Sequence, residues 1–240
     1  MTYLMKSDHE RPIVTIDAVV LALFDHRLHA LLVRRTPDAP IEPNRWALPG
    51  GFVHTDKDQT DEDTVRRVLA TKAGLSVRHL EQLRTFASAS RDSRGWSVSI
   101  AYVVIAETSD RVLSDTAQFV PIEELEGLPF DHSTIVQVAL ERVRNKASYS
   151  SLPAFFLPTE FTLPQLQKVY EEVLGIKDLN TAAFRRKVQD QGLIDAVDDK
   201  ERGIPGPRKA GRPAQWFRLS QASLQDMGRA VMLPDTRRGG

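Results

Sequence analysis

The sequence contains no cysteine, which excludes disulfide bonds and thiolate metal sites. A chain without disulfides fits a reducing compartment, so the composition indicates a cytoplasmic protein. No apolar run approaches the roughly 20 residues that a membrane-spanning helix requires. The first residues, MTYLMKSDHERP, also lack the apolar segment of a signal peptide. We therefore expect no membrane association.

Net charge is also missing, because 32 basic residues balance 32 acidic ones. Whole-chain charge therefore gives no indication of nucleic-acid binding. All six histidines lie within residues 1–150, and residues 151–240 have neither histidine nor cysteine, which excludes a zinc finger there. With 240 residues, 41% of them hydrophobic, the chain can hold one large domain or two modest ones.

Hydrophobic patterning divides residues 1–150 into strands and helices. Apolar β-rich runs predict strands, and apolar residues at helical spacing predict helices. The strands are expected at residues 13–24, 27–35 and 97–106, and the helices at residues 60–74 and 133–146. Strands around one central helix, closed by a second helix, predict an α/β sandwich with a mixed sheet between helices.

Residues 46–75 form the stretch around which this first part is organised. Gly50-Gly51 permits a tight reversal after an apolar run, Thr60 with Asp63 approximates a capping box, and Gly74 ends the helix. The layout resembles the Nudix box, which reads Gly, five residues, Glu, seven residues, Arg-Glu-apolar-x-Glu-Glu-x-Gly-apolar. The residues that match this motif are Arg67, Leu69, Gly74 and Leu75.

The acids of the Nudix box are missing from this stretch. The residues that stand in place of its glutamates are Gln59, Val68, Thr71 and Lys72. Mg²⁺ in such a site needs carboxylate oxygens, and a lysine ammonium would repel the cation. We therefore expect no catalytic residue, no metal site and no Mg²⁺-dependent hydrolysis. The neighbouring acids are interpreted as solvated groups that favour the helix N-terminus. They are Asp56, Asp58, Asp61 and Glu62.

Loss of the acids still leaves a pocket in which an anionic nucleotide could bind. Arginines donate paired hydrogen bonds to phosphates, aromatic rings stack on bases, and a lysine can supply the positive charge that a metal supplies elsewhere. The candidate effector-binding residues are Arg34, Arg35, Trp46, Gly51, Phe52, Lys72, Arg91 and Arg94. For each of them alone, a solvated arginine or a core aromatic is an equally good interpretation.

Residues 151–240 are predicted to form a second domain, after a shift to small polar residues at 145–154. Helices are expected at 162–174 and 181–191, followed by a basic loop at 200–213 and a strand at 214–219. This order is typical of a winged helix-turn-helix. Residues 221–240 are expected to be a flexible tail.

The second of these helices and the basic loop carry the candidate DNA contacts. Between residues 180 and 218, nine basic residues outnumber five acidic ones, which favours a surface that faces phosphates. Side chains of the helix can reach base edges, and those of the loop can follow the DNA backbone. The candidates are Thr162, Asn180, Thr181, Arg185, Arg186, Lys187, Gln189, Arg208, Lys209 and Arg212. The alternative is a solvated helix face beside a loop.

Four further stretches make the whole chain similar to the Nudix-related transcriptional regulators of NAD metabolism. They are residues 91–101 (RDSRGWSVSIA), 129–132 (PFDH), 180–187 (NTAAFRRK) with Gly192-Leu193, and 211–214 (GRPA). The resemblance implies a homodimer that binds a pseudo-palindromic operator, represses NAD biosynthesis or salvage genes, and leaves DNA when it binds ADP-ribose. No cofactor is implied beyond this effector. The alternative function is an ADP-ribose or nucleotide pyrophosphatase with atypical metal ligands.

Overall fold

The structure is a computed structural model that describes residues 11–75, 77–106, 112–197, 215–221 and 224–227. Its first part is built from eight strands: β1 (Ile13–Phe24), β2 (Arg27–Arg34), β3 (Trp46–Ala47), β4 (Gly50–Phe52), β5 (Val77–Ser88), β6 (Ser97–Ala106), β7 (Val112–Ser114) and β8 (Ala117–Pro121). Two helices accompany them, α1 (Asp61–Ala73) and α2 (His132–Ala147), with a short 3-10 turn at Ile122–Glu124.

These strands form one mixed sheet in the order β5-β6-β1-β2-β8-β7, with β3 beside β2 and β4 beside β1. The central strand β1 runs parallel to β6 and antiparallel to β2. Because successive side chains of a strand point to opposite faces, Val19 and Leu21 pack in the layer of α2, whereas Ala18 and Val20 pack in the layer of α1. The prediction of a mixed sheet between helices is confirmed.

The second part contains helices α3 (Leu163–Leu174) and α4 (Thr181–Asp190), and a 3-10 turn at Leu152–Phe156 precedes them. Strands β9 (Phe161–Thr162), β10 (Ile194–Ala196) and β11 (Trp216–Leu219) form a three-stranded antiparallel sheet in the order β10-β11-β9. This is the winged-helix arrangement that the order of segments predicted. The basic loop expected at 200–213 lies outside the described residues.

One hydrophobic core runs from the first part into the second. Val143 and Ala147 of α2 belong to the same buried cluster as Val169 and Tyr170 of α3. The hydroxyl of Tyr170, itself fully buried, donates to the carbonyl of Ser150 over 2.9 Å. The two parts therefore pack as neighbours in one continuous interior. Among the described residues, no helix has both the length and the apolarity to cross a membrane.

Residues 224–227 correct the prediction that everything after residue 220 forms a flexible tail. The side chain of Met227 is buried, and its backbone N–H donates to the carbonyl of Tyr149. The N–H of Ser151 in turn donates to the carbonyl of Gln225. Apolar burial and paired backbone groups fix this segment against the end of α2.

Candidate functional site

A cavity of about 690 Å³ opens beside β1, bounded by the loop after β2, the turn at β4 and the C-terminal end of α1. Seven of the eight predicted effector residues line it, and they are Arg34, Arg35, Gly51, Phe52, Lys72, Arg91 and Arg94. Trp46 does not line the cavity. It pairs with Arg34 across the β2–β3 ladder, and its half-buried ring packs against the core. Its assignment as a lining residue is therefore wrong, because the ring covers apolar residues.

Gly50 and Gly51 allow the β4 turn to lie directly on the neighbouring elements. A Cβ atom on Gly50 would lie 2.2 Å from Oδ1 of Asp17 and 2.7 Å from the carbonyl oxygen of Ile16. A Cβ atom on Gly51 would lie 3.2 Å from Cγ2 of Val68. On α1, the ammonium of Lys72 donates a hydrogen bond to the carbonyl of Gly50. The glycines thus bring α1 and β1 together around the cavity.

Four charged or ionisable groups, drawn from three separate regions of the sequence, meet at the inner wall of the cavity, where Asp17, Arg91 and His132 line it and Asp131 lies behind Arg91. Arg91 donates to Asp131 from Nε over 3.1 Å and from Nη2 over 2.9 Å, and Nη2 also lies 3.3 Å from Asp17. His132 Nε2 lies 3.4 Å from the second oxygen of Asp17. These contacts join residues 91–101 and 129–132, two of the stretches that carried the family resemblance.

The protonation of this inner wall follows from its hydrogen bonds. The backbone N–H of Leu48 donates to Nδ1 of His132 over 3.1 Å, so Nε2 is the ring nitrogen that carries a proton toward Asp17. Burial alone would raise the pKa of Asp17, but His132, the hydroxyl of Ser99 and Arg91 together lower it to about 2. Asp17 is therefore a carboxylate at neutral pH.

The outer wall carries cations and aromatic rings. The Arg35 guanidinium donates to the carbonyl of Ile41 over 2.8 Å and lies 5.1 Å from the ring centre of Phe130. Arg94 pairs with Asp92 and stacks over Phe52, whose ring is 47% exposed. Such an exposed ring beside guanidinium groups can accept a stacked base next to bound phosphates.

Lys72 extends from α1 to the same cavity. The residue as a whole is exposed, and its ammonium is turned toward the Gly50 carbonyl. Desolvation of the ammonium and the nearby Arg35 charge lower the pKa of Lys72. Contact with an anion would stabilise the charged form of the Lys72 side chain, because the negative charge would offset both of these effects.

Helix α1 begins and ends where the sequence predicted, but one acid of the loop before it is not solvated as expected. Thr60 and Asp63 form the predicted capping box. Asp58 was expected to be solvated, but its side chain is only 2% exposed and accepts from Arg67 Nε over 2.7 Å. Bonds from Arg67, His54 N–H and Thr64 lower its pKa strongly. Asp58 therefore anchors Arg67 and ties the loop to α1.

The positions where the Nudix box has glutamates offer no carboxylate to the cavity. Val68 is buried, whereas Thr71 and Lys72 line the cavity with an uncharged and a cationic side chain. Within the part of the chain that the structure describes, no group of three or more histidine, aspartate or glutamate side chains could hold a metal ion. The cavity lining contains five basic side chains and three aspartates, so basic groups outnumber acidic ones and aromatic rings lie beside them.

Helix α4 exposes most of its residues that were predicted to contact DNA, and the contact itself stays a prediction. Phe184 and Val188 are buried, and the opposite side of the helix is exposed. Its exposed residues are Thr181, Ala182, Arg185, Arg186, Gln189 and, at the C-terminal end, Asp190. Lys187 is half-buried at the edge of this face. The α4 face therefore offers two arginines, a glutamine and two small residues for groove contacts.

The two other predicted DNA contacts within the described residues serve as helix caps. The Asn180 side chain accepts from Ala183 N–H over 2.9 Å, and the Thr162 side chain shares a capping box with Gln165. Their side-chain oxygens are thus already hydrogen-bonded within the protein. The remaining candidates, Arg208, Lys209 and Arg212, lie outside the described residues.

Sequence reasoning missed several residues of the cavity. Asp17, Phe130 and His132 line it, together with Asp92. A signal existed for three of them, because Asp92 lies in residues 91–101 and Phe130 and His132 lie in residues 129–132, both of which carry the family resemblance. A single carboxylate within the apolar run 13–24 was a second signal, since a buried charge needs a partner.

Comparison with known proteins agrees with this geometry. The NUDIX domain family matches residues 14–139, and the family of the NrtR DNA-binding winged helix domain matches residues 153–219. Fold and site thus define a protein in which a NUDIX domain is joined to a DNA-binding winged helix. The chain belongs to the NrtR family. Because the matched ranges leave residues 140–152 between them, the division at residue 150 stays a prediction.

The chain is similar to relatives along most of its length. It is 35% identical over 227 residues to the ADPR responsive transcriptional repressor NtrR of Acinetobacter baylyi, covering 92% of this chain and 86% of that protein. The crystal structure of Shewanella oneidensis NrtR complexed with a 27mer DNA superimposes with a TM-score of 0.72 at 36% identity, covering 86% of this chain and 93% of that one.

Two further similarities concern the first part alone. The NUDIX domain of Shewanella oneidensis NrtR complexed with ADP ribose matches with a TM-score of 0.50 at 33% identity, covering 56% of this chain and 90% of that one. An ADP-ribose pyrophosphatase of Methanocaldococcus jannaschii is 30% identical over 129 residues, covering 52% of this chain and 72% of that protein. The NUDIX domain therefore resembles that of a regulator and also that of an enzyme.

Proposed function

We propose that this chain is a transcriptional repressor that binds operator DNA through the α4 face and is released when ADP-ribose occupies the cavity. The observation that carries the proposal is a cavity of cations and aromatic rings in a NUDIX domain that shares its core with a winged helix. The relatives that bind DNA and ADP-ribose support both halves of the proposal.

ADP-ribose fits the chemistry of the cavity. Its two phosphates match the group of Arg34, Arg35 and Lys72, and its adenine ring fits beside the exposed Phe52. Lys72 supplies a fixed positive charge beside the Gly50 carbonyl. Binding of ADP-ribose therefore needs no divalent cation and no cofactor.

The protein does not hydrolyse its ligand. Metal-assisted attack on a diphosphate requires carboxylates that hold the metal, and Val68, Thr71 and Lys72 replace them on α1. The similarity to an ADP-ribose pyrophosphatase favours the alternative of an enzyme with atypical ligands. Incubation with ADP-ribose and Mg²⁺ or Mn²⁺, followed by assay for AMP, separates the two functions. Robust release of AMP would overturn the proposal that the ligand stays intact.

The regulator acts as a homodimer in the cytoplasm on genes of NAD biosynthesis or salvage. A dimer places two α4 faces on two half-sites, so the operator is pseudo-palindromic with its half-sites about one helical turn apart. Small-angle scattering or sedimentation of the full chain with and without operator measures the stoichiometry. One protomer per operator would contradict this part of the proposal.

The central experiment measures DNA binding with and without the effector. Selection from a random duplex library yields the preferred operator, and fluorescence anisotropy then gives its Kd. We expect ADP-ribose to weaken operator binding at least tenfold, which corresponds to about 1.4 kcal/mol of coupling. AMP serves as the control nucleotide. A protein with no preference over random duplex, or with an unchanged Kd in ADP-ribose, would refute the proposed function.

A further inference from the structure

We infer that helix α2 transmits occupancy of the cavity to the winged helix, and that the Arg91–Asp131 ion pair is its ligand-sensitive contact. The inference rests on the proposed function, because it concerns how the same cavity controls DNA binding. It assigns a positioning role to Asp131, which does not line the cavity but immediately precedes α2.

The start of α2 is attached to the cavity by two side chains. Asp131 occupies the N-cap position of α2, yet its side chain makes no capping bond. Its carboxylate accepts from Arg91 instead, and the next residue, His132, lies against Asp17. An aspartate at an N-cap usually accepts from the first turn of its own helix. Here the carboxylate of Asp131 instead accepts hydrogen bonds from Arg91, which lies in the cavity wall.

The other end of α2 is attached to the winged helix. Val143 and Ala147 lie in the core shared with α3, and Ser150, just beyond the helix, accepts from the buried hydroxyl of Tyr170. The 16 residues of α2 span about 24 Å as a helix. A displacement at the first turn is therefore carried to the packing of α3, because a regular helix is stiff along its axis.

Arg91 is the point at which a ligand competes with α2. Its guanidinium already donates to Asp131, Asp17 and Ser97, and its side chain is only 6% exposed. A phosphate or ribose oxygen that enters the cavity accepts hydrogen bonds from Arg91 in place of one or more of these partners. Asp17 also accepts from Ser99 and contacts His132, whereas Arg91 is the partner the structure gives for the Asp131 carboxylate. The ligand thus favours an arrangement in which Asp131 and the start of α2 are displaced.

The substitution Asp131→Asn tests this relay. The Asp131 side chain makes no capping bond, so asparagine removes none from the start of α2, while the charge partner of Arg91 is lost. The measured quantity is the response factor, defined as operator Kd in saturating ADP-ribose divided by operator Kd without it. We expect a factor of at least ten for wild type and a factor below about two for Asp131→Asn, with ADP-ribose still bound in calorimetry.

A matched control removes a carboxylate from the other paired arginine of the cavity. Asp92 pairs with Arg94 and does not belong to α2, so Asp92→Asn should alter ADP-ribose affinity while keeping the response factor near that of wild type. Arg91→Lys provides a second test. A lysine keeps a positive charge for the ligand but cannot bridge both carboxylates, so the response should again be lost.

The outcomes separate the inference from the proposed function. A wild-type factor of one contradicts the proposed function itself. If wild type responds and Asp131→Asn responds equally, the relay is wrong and the repressor remains. Loss of ADP-ribose binding in Asp131→Asn would also overturn the relay, because Asp131 would then support the pocket rather than transmit its state.

Discussion

Replacing Lys72 with alanine asks whether an ammonium group takes the electrostatic part that a divalent cation takes in a Nudix hydrolase. Lys72 lines the cavity from α1, at a position where the box has a glutamate. Its ammonium lies on the Gly50 carbonyl, with Arg35 near enough to lower its pKa. A bound diphosphate would satisfy this cation in place of, or together with, the carbonyl.

The expected loss of ADP-ribose affinity in Lys72→Ala can be estimated from these contacts. A hydrogen bond to a charged group contributes about 1.5–3 kcal/mol. Because Lys72 is an exposed residue and only its ammonium is partly desolvated, the lower part of this range applies, about 1.5–2 kcal/mol. We therefore expect Lys72→Ala to raise the Kd for ADP-ribose roughly 10–30-fold.

Isothermal titration calorimetry in EDTA measures this change without a metal contribution. Lys57→Ala is the matched control, since Lys57 is an exposed lysine of the preceding loop that does not line the cavity. A change of less than threefold for Lys72→Ala would refute the reasoning. So would a wild-type protein that binds ADP-ribose only in the presence of Mg²⁺.

The lowered pKa of Lys72 adds a pH signature to this experiment. The ammonium contributes to binding below its pKa, and the contribution fades as pH rises through that value. Wild-type affinity should therefore begin to fall at a lower pH than the ordinary lysine value of 10.5 would give. Lys72→Ala should lack this component, and identical pH profiles for both proteins would contradict the assignment.

Three further predictions follow from other parts of the chain. Arg185→Ala should weaken operator binding by about 1–3 kcal/mol in anisotropy if it reads a base, whereas Arg144→Ala, on the exposed side of α2, should change it little. Tyr170→Phe should lower the free energy of unfolding by about 1–2 kcal/mol in urea, because the Ser150 carbonyl loses its buried donor. Asp17, with its pKa lowered from 3.8 to about 2, contributes stability above pH 3.8 that is lost as pH falls through 2. As pH falls through this range, the free energy of unfolding should decrease by about 2 kcal/mol less in Asp17→Asn than in wild type. An equal decrease in both proteins would contradict the assignment.

Local sequence signals predicted most of the elements. The capping pair Thr60 and Asp63 and the terminal Gly74 gave the bounds of α1, because helix ends are fixed by contacts within one turn. Apolar runs likewise located β1, β2 and β6. The order of segments was enough to predict both architectures.

The inner wall of the cavity could not be predicted in the same way. Arg91 meets Asp17 across 74 residues and Asp131 across 40 residues, and no periodicity carries information about such pairs. The burial of Asp58 could not be predicted for a related reason, because the loop conformation that brings it to Arg67 leaves no periodic signal in the sequence. Trp46 was misplaced because an aromatic residue beside a strand serves a core and a pocket equally well.

The unbroken core between α2 and α3 has a consequence for how long the protein survives in a cell. Proteolysis of a small protein acts on its unfolded population, and a ligand that binds the folded state reduces that population in proportion to its occupancy. Since the two parts share buried residues such as Val143, Val169 and Tyr170, ADP-ribose held in the first part would also protect the winged helix from degradation. The effector would then remove the repressor from DNA and at the same time preserve the pool that rebinds when its concentration falls.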